Sequence, residues 1–138
     1  MTIDHVGIAV RSIDQALAFY AEVLGVMPAH RSVVEQEKVE AAVLPAGEGR
    51  IELLEPTSDD SVIARFIERR GEGIHHLAVA VEDIEEAADA ARRSGRRLVV
   101  DRIQIGAEGY KYVFVHPRGT GGVLLELVER DRDRGGPA

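Results

Sequence analysis

The sequence predicts an α+β protein whose two tandem βαβββ modules pair into a curved, eight-stranded and mostly antiparallel sheet around a metal-binding cleft. Two observations predict it. Each half of the 138-residue chain opens with a histidine-containing strand followed by an acidic helix start, and each half closes with an apolar strand that carries a glutamate. The separation of His5 from Glu52 nearly equals that of His76 from Glu126. A duplicated unit that supplies one histidine and one glutamate can therefore bring four metal ligands to a pseudo-twofold centre.

Period-two and helical patterns define the elements of the first half. Ser12 can cap the first helix, with Gln15 three residues later completing a capping box, and Gly25 ends that helix. In chain order, the expected elements are a strand at 3–10, a helix from Ser12 to Gly25, strands at 27–34, 39–44 and 50–54, and a short amphipathic helix at 62–69.

The second half repeats this order. Its expected elements are a strand from Ile74, a helix at 84–93 that stops at Gly95, and strands at 98–100, 111–116 and 123–129. We expect a single domain over 1–130, with modules at 1–56 and 73–130 and a linker helix at about 59–71. Residues 131–138 are charged and contain glycine and proline, so a disordered tail is expected.

Composition excludes several classes of function. The net charge of −7 argues against general binding to nucleic acid or to anionic membranes. There is no cysteine, hence no disulfide framework and no thiolate ligand or nucleophile. No apolar segment is long enough to span a membrane, and the N-terminus has no signal stretch. A cytoplasmic protein that binds a small molecule is the expectation.

The four candidate ligands lie on faces that suit a cavity. Alternate residues of a strand share a face, so each histidine lies with small residues while the bulky β-branched residues lie opposite. A carboxylate on the last strand of each module is costly to bury unless it is paired or metal-bound. The small neighbours are Gly7 and Ala9 for His5, and Ala78 and Ala80 for His76.

Taken singly, a strand histidine is more often a hydrogen-bonded core residue, and a strand glutamate usually faces water. Packing alone does not account for matching His and Glu residues in two copies, which favours metal binding. His75 points to the opposite face from His76, and His30 and His116 have no counterpart in the other copy. None of these three histidines is expected to bind the metal.

Several stretches make the pattern specific, and they cover the chain except for its tail. The chain resembles the vicinal oxygen chelate superfamily, which includes glyoxalase I and the extradiol dioxygenases. Within that superfamily it is most similar to the methylmalonyl-CoA epimerase family. The stretches that carry the resemblance are Ile51–Pro56, Gly73–Ala78, Ile105–Ala107 and His116–Leu127.

This resemblance implies a divalent metal bound by His5, Glu52, His76 and Glu126. Cobalt is the ion that the resemblance favours, while nickel, manganese, iron and zinc also suit two imidazoles and two carboxylates. Some members have Gln in place of Glu52. The chain also departs from the family in having Gln36-Glu37 where Gln-Gly is common, and Arg118 where Lys is common.

The resemblance further implies epimerisation of methylmalonyl-CoA at C2 through an enolate, interconverting the R and S forms. Inversion needs a base on one face of C2 and an acid on the other, and Glu40 and Glu126 are the candidates. Glu40 is equally compatible with an exposed charge on a half-buried strand. Lys111 and Arg118 are candidates for contacts to coenzyme A, and a homodimer is the family expectation.

Two other functions remain open. A glyoxalase I-type lactoylglutathione lyase would use four similarly placed ligands, whereas extradiol dioxygenases use a two-histidine, one-carboxylate iron site and longer chains. A metal-free module for small-molecule binding or antibiotic resistance is also possible on this fold. Such a module would be marked by the loss of ligands, and all four are present.

Overall fold

The computed structural model describes residues 1–106 and 109–130. In that part of the chain the strands are β1 (Thr2–Ala9), β2 (His30–Val34), β3 (Val39–Ala46), β4 (Gly49–Pro56), β5 (Gly73–Ala80), β6 (Gln104–Ile105), β7 (Lys111–Val115) and β8 (Leu125–Glu129). The helices are α1 (Ile13–Leu24), α2 (Val62–Arg70) and α3 (Ile84–Arg93). The predicted α+β class and the tandem βαβββ order are confirmed. The tail expected at 131–138 lies outside the described residues.

The chain divides into two compact units, one of His5–His75 and one of Met1–Asp4 with His76–Ala138. In the first unit the strand order is β2-β3-β4-β1, and in the second it is β5-β8-β7-β6. Each unit has one parallel pair, β1 with β4 or β5 with β8, and its remaining pairs are antiparallel. The mostly antiparallel pairing is therefore confirmed within each unit, and the proposed domain bounds stay a prediction.

The first unit buries the apolar face of α1 against one face of its strands. Ile13 and Leu53 are fully buried, and Leu44 and Val10 pack with them. Ser12 caps α1 as predicted, because its Oγ accepts a hydrogen bond of 3.2 Å from the Gln15 N–H. Gly25 ends the helix at a φ of 66°, in the left-handed region where glycine is preferred.

The second unit has an equivalent core. Ile84 and Ala88 of α3 are fully buried against Val113 of β7, together with Leu98 and Leu127. The predicted α3 boundaries are confirmed. None of the described helices is both long and apolar enough to cross a membrane.

A glutamate at the end of the last strand of each module binds the first helical N–H of that module. The Ile13 N–H donates to Glu55 Oε1 at 2.7 Å, and the Ile84 N–H donates to Glu129 Oε1 at 2.9 Å. The first N–H groups of a helix have no partner within the helix, and a carboxylate there also interacts favourably with the helix dipole. These contacts tie each helix to the strand that carries the module's candidate ligand.

Replacing Glu55 with alanine is expected to lower the free energy of unfolding by about 1 kcal/mol, because a capping acceptor at the start of α1 is lost. Urea denaturation followed by circular dichroism measures this change. Replacement of the exposed Glu48, in the turn before β4, is the matched control and is expected to change stability little. Equal effects of the two replacements would contradict the capping role.

The prediction of a strand at 98–100 is wrong. Leu98 makes only an isolated antiparallel bridge to Val115, and the Val99 N–H donates to the Phe114 carbonyl at 2.8 Å. The edge strand is instead the two-residue β6, which pairs with the start of β7. Leu98 is buried in the core beneath α3, so its apolar character reflects core packing rather than a continuous ladder.

Lys38, which follows Gln36-Glu37, has a backbone conformation that is unusual for a residue other than glycine. A 3₁₀ turn at Glu35–Glu37 ends at Lys38, whose φ of 55° is left-handed, a conformation that glycine adopts more readily. Its ammonium group forms an ion pair with Asp60, which lies in the connector before α2. Hydrogen bonds from Lys38 and Ser58 lower the pKa of Asp60 to about 2.

Candidate active site

The first unit brings His5 and Glu52 together. Because β1 and β4 run parallel with Gly7 opposite Glu52, the glutamate lies on the same face as His5, two residues away along β1. His5 Nδ1 lies 3.3 Å from Glu52 Oε2. His5 is only 3% exposed, whereas the Glu52 side chain remains partly accessible.

The second unit repeats this arrangement with His76 and Glu126. Here β5 and β8 run parallel with Ala78 opposite Glu126, and His76 Nε2 lies 3.3 Å from Glu126 Oε1. Both residues are buried, at 7% and 3% exposure. The rings of His76 and Phe114 also pack edge to face, with their centroids 5.4 Å apart.

The two pairs share one register, which the sequence duplication predicted. In each module the residue opposite the glutamate is two positions after the histidine, and it is Gly7 or Ala78. A side chain of this size leaves room for the carboxylate to lean along the strand toward the imidazole. Each module therefore presents one nitrogen donor and one oxygen donor from adjacent parallel strands.

This donor set fits a divalent metal. Imidazole nitrogen and carboxylate oxygen are common ligands of the borderline divalent ions, and a buried carboxylate needs a compensating positive charge. The grouping of histidine and carboxylate donors supports a divalent metal site.

Glu40 lies away from the His5–Glu52 pair. On β3 it shares a face with Ala42 and Leu44, which pack in the α1 core, whereas Val43 on the other face is opposite Glu52. Arg31 binds both oxygens of Glu40, with Nε to Oε2 at 2.8 Å and Nη2 to Oε1 at 3.4 Å.

Arg31 also joins Glu40 to the start of α1. Its Nη1 donates to Asp14 Oδ1 at 2.6 Å, and these hydrogen bonds to Glu40 and Asp14 raise the pKa of Arg31. Glu55, which caps α1, is the cross-strand partner of Glu40. Glu40 thus belongs to a charged cluster at the N-terminus of α1. Its role as a base stays a prediction, and this placement does not favour it.

The two candidate coenzyme A contacts lie at opposite ends of β7. Lys111 begins the strand on the same face as Val113, and its Nζ is 3.8 Å from Glu129 Oε2. Arg118 is exposed in the 3₁₀ turn Pro117–Gly119 that follows the strand. At about 3.3 Å per residue, the two ends of β7 are roughly 13 Å apart.

The remaining histidines have structural surroundings. His75 meets the ring of Phe66 edge-on at a centroid distance of 5.1 Å, on the opposite face of β5 from His76. His116 Nδ1 accepts a hydrogen bond from the Arg118 N–H at 3.1 Å, which caps the 3₁₀ turn. His30 is exposed at the start of β2.

Sequence reasoning missed the capping glutamates, although the sequence contained a signal for them. Glu55 follows Glu52 by the same three positions as Glu129 follows Glu126. An odd spacing on a strand places the second carboxylate on the opposite face, toward the helix. The repeated Glu-x-x-Glu spacing therefore encodes a candidate ligand and a helix cap in both modules.

Comparison with known proteins agrees with this geometry. Residues 4–114 match the model of the glyoxalase/bleomycin resistance protein/dioxygenase superfamily. The mitochondrial methylmalonyl-CoA epimerase of Homo sapiens is 33% identical over 128 residues, which cover 92% of this chain and 73% of that protein.

Two solved structures are similar over nearly the whole chain. The methylmalonyl-CoA epimerase from Mycobacterium tuberculosis superposes with a TM-score of 0.86 at 37% identity, covering 94% of this chain and 88% of that one. A methylmalonyl-CoA epimerase in complex with methylmalonyl-CoA and ammonium superposes with a TM-score of 0.85 at 34% identity, covering 93% of each chain. At 34% and 37% sequence identity, the similarity to these two structures includes the sequence as well as the fold.

Proposed function

The chain belongs to the glyoxalase/bleomycin resistance protein/dioxygenase superfamily, and we propose that it is an isomerase that epimerises methylmalonyl-CoA at C2. The observation that carries this proposal is the pair of His–Glu contacts in matching register. The similarity to methylmalonyl-CoA epimerases supplies the substrate class, an acyl-CoA thioester.

In this proposal His5, Glu52, His76 and Glu126 hold one divalent ion, with cobalt the first candidate. Two neutral imidazoles and two carboxylates balance the charge of such an ion. When bound, the ion supplies Lewis-acid stabilisation of the negative charge that develops as C2 loses its proton.

The protein must remove a proton from one face of C2 and return a proton to the other face. The composition of the substrate is then unchanged while the configuration at C2 is inverted. Glu126 is proposed to carry one of these protons. Its neighbours support that role, because Ala78, Tyr112 and Val128 form a buried apolar cluster on its face of the sheet. Exclusion of water there strengthens electrostatic interactions with the developing charge.

Glu40 is the other proposed proton carrier, and its placement allows a decisive test. As a proton carrier, Glu40 predicts that the Glu40→Gln variant keeps its metal and loses C2 proton exchange by about 10²-fold or more. Exchange within about twofold of the wild-type rate would overturn this role and would agree with the placement of Glu40 beside Arg31 at the start of α1. The Arg31→Gln variant is the matched control, since it breaks the same ion pair without removing the carboxylate.

Lys111 and Arg118 are proposed to contact coenzyme A. Replacing either one would then raise KM for the thioester more than it lowers kcat. A homodimer and a cytoplasmic location are further proposals that rest on the family and on the sequence.

The proposal is tested by following the conversion of (2S)-methylmalonyl-CoA to the 2R epimer with metal-free and cobalt-loaded protein. Conversion that depends on the metal supports the epimerase. The alternative, a glyoxalase I-type lyase, predicts instead that the hemithioacetal of methylglyoxal and glutathione is consumed, while the methylmalonyl thioester is untouched. Activity on neither substrate with metal bound would leave a binding protein as the better description.

A further inference from the structure

The residue immediately before His5 is held by the last described residue of the chain. Arg130 donates two hydrogen bonds to the carboxylate of Asp4, from Nε to Oδ1 at 2.8 Å and from Nη2 to Oδ2 at 2.9 Å. The Asp4 side chain is only 5% exposed and that of Arg130 is 33% exposed. A planar guanidinium that binds both oxygens fixes the orientation of the carboxylate, which a single charge contact does not.

Arg130 also lies on a row of aromatic rings that ends at His76. Its guanidinium carbon is 4.9 Å from the centroid of the Tyr110 ring. The centroid of Tyr110 is 5.5 Å from that of Tyr112, and the centroid of Tyr112 is 6.0 Å from that of Phe114. Phe114 is the ring that meets His76 edge-on.

Gly106 leaves room for the first ring of this row. A Cβ atom at position 106 would lie 2.3 Å from the Tyr110 ring, so only glycine permits the present position of that ring. The Gly106 N–H also donates to the Tyr110 carbonyl at 2.8 Å. The Tyr110 ring therefore lies against both Gly106 and the guanidinium of Arg130.

We infer that Arg130 is a positioning residue for the metal site. It fixes Asp4, which is joined by one peptide bond to His5, and it fixes the ring row that contacts His76. This inference rests on the metal site of the proposed function. Arg130 would act on the affinity for the metal through the placement of both histidines, and it would not touch substrate or metal itself.

A merely structural role makes a different prediction. Removing only Arg130 leaves a buried carboxylate without its guanidinium partner, which destabilises the fold. Removing the charge of Asp4 as well relieves that penalty. If the pair served stability alone, the Asp4→Asn/Arg130→Met variant would recover both stability and metal affinity.

The experiment is a titration of metal-free, full-length protein with Co²⁺, in which the visible absorption of the bound ion gives Kd. We expect Arg130→Met to weaken Co²⁺ binding about 10-fold, the lower end of the range for groups that orient metal ligands. Arg130→Lys should fall between wild type and Arg130→Met, because it restores the charge without the planar fork. The double variant should recover thermal stability without recovering Kd.

Arg92→Met is the matched control. Arg92 also binds two carboxylates, Asp89 and Asp101, but all three side chains are solvent-accessible on the α3 side of the second unit. Its replacement should leave Kd unchanged. Wild-type Kd in the double variant would overturn the inference while leaving the metal site intact. Failure of the wild-type protein to bind Co²⁺ would overturn the proposed function itself.

Discussion

The His76→Ala variant is expected to lose bound metal and C2 proton exchange together. His76 is buried, lies 3.3 Å from Glu126 and is the only imidazole in the second unit's donor pair. Changes to groups that merely orient ligands cost about 10–100-fold in affinity or activity, and removing a ligand is expected to cost more. Elemental analysis after dialysis, together with exchange rates, measures both losses.

His75→Ala is the matched control for this experiment. The two histidines are adjacent in sequence, but His75 lies on the opposite face of β5 and contacts Phe66. We expect the control to keep stoichiometric metal and near wild-type exchange, with some loss of stability from the lost ring contact. Full activity of His76→Ala in metal-free form would contradict the assignment of His76 as a metal ligand.

The second large effect is expected for Glu126→Gln. The amide keeps an oxygen donor near His76 and is similar in size, but it cannot accept or deliver the C2 proton. Because a positioned acid or base contributes typically 10²–10⁴-fold, exchange should fall by about that factor. Metal affinity should fall less than it does in His76→Ala, since one neutral oxygen ligand remains.

Glu129→Gln separates this effect from a general loss of structure. Glu129 is on the same strand, three residues further on, and faces α3, whose first N–H it binds. Its replacement is expected to lower stability by about 1 kcal/mol or less and to leave exchange unchanged. If Glu126→Gln and Glu129→Gln reduced exchange equally, Glu126 would have no special role in proton transfer.

The two His–Glu pairs could be predicted from the sequence because the duplicated module repeats both the residue types and the strand register. The alternation of side chains along a strand placed His5 on the same face as Gly7, and His76 on the same face as Ala78. In the structure Gly7 lies opposite Glu52 and Ala78 lies opposite Glu126. Helix starts and ends were also predictable, because capping depends on local residues such as Ser12 and Gly25.

Features that depend on contacts between distant segments could not be predicted in this way. The Asp4–Arg130 ion pair joins the two ends of the described chain, and nothing local to either residue indicates it. The side of β3 on which Glu40 lies was equally ambiguous, because small and apolar residues occur on both of its faces. Leu98 was mistaken for part of a strand since core packing and strand pairing favour the same residue type.

The proposed activity of this protein is metal-dependent proton chemistry at C2 of an acyl-CoA thioester. Proton NMR of methylmalonyl-CoA in deuterated water, with cobalt-loaded protein and a metal-free control, tests it most directly. We predict loss of the C2 hydrogen signal well above the uncatalysed rate only when metal is bound. An unchanged C2 signal with metal demonstrably bound would contradict the proposed epimerase activity.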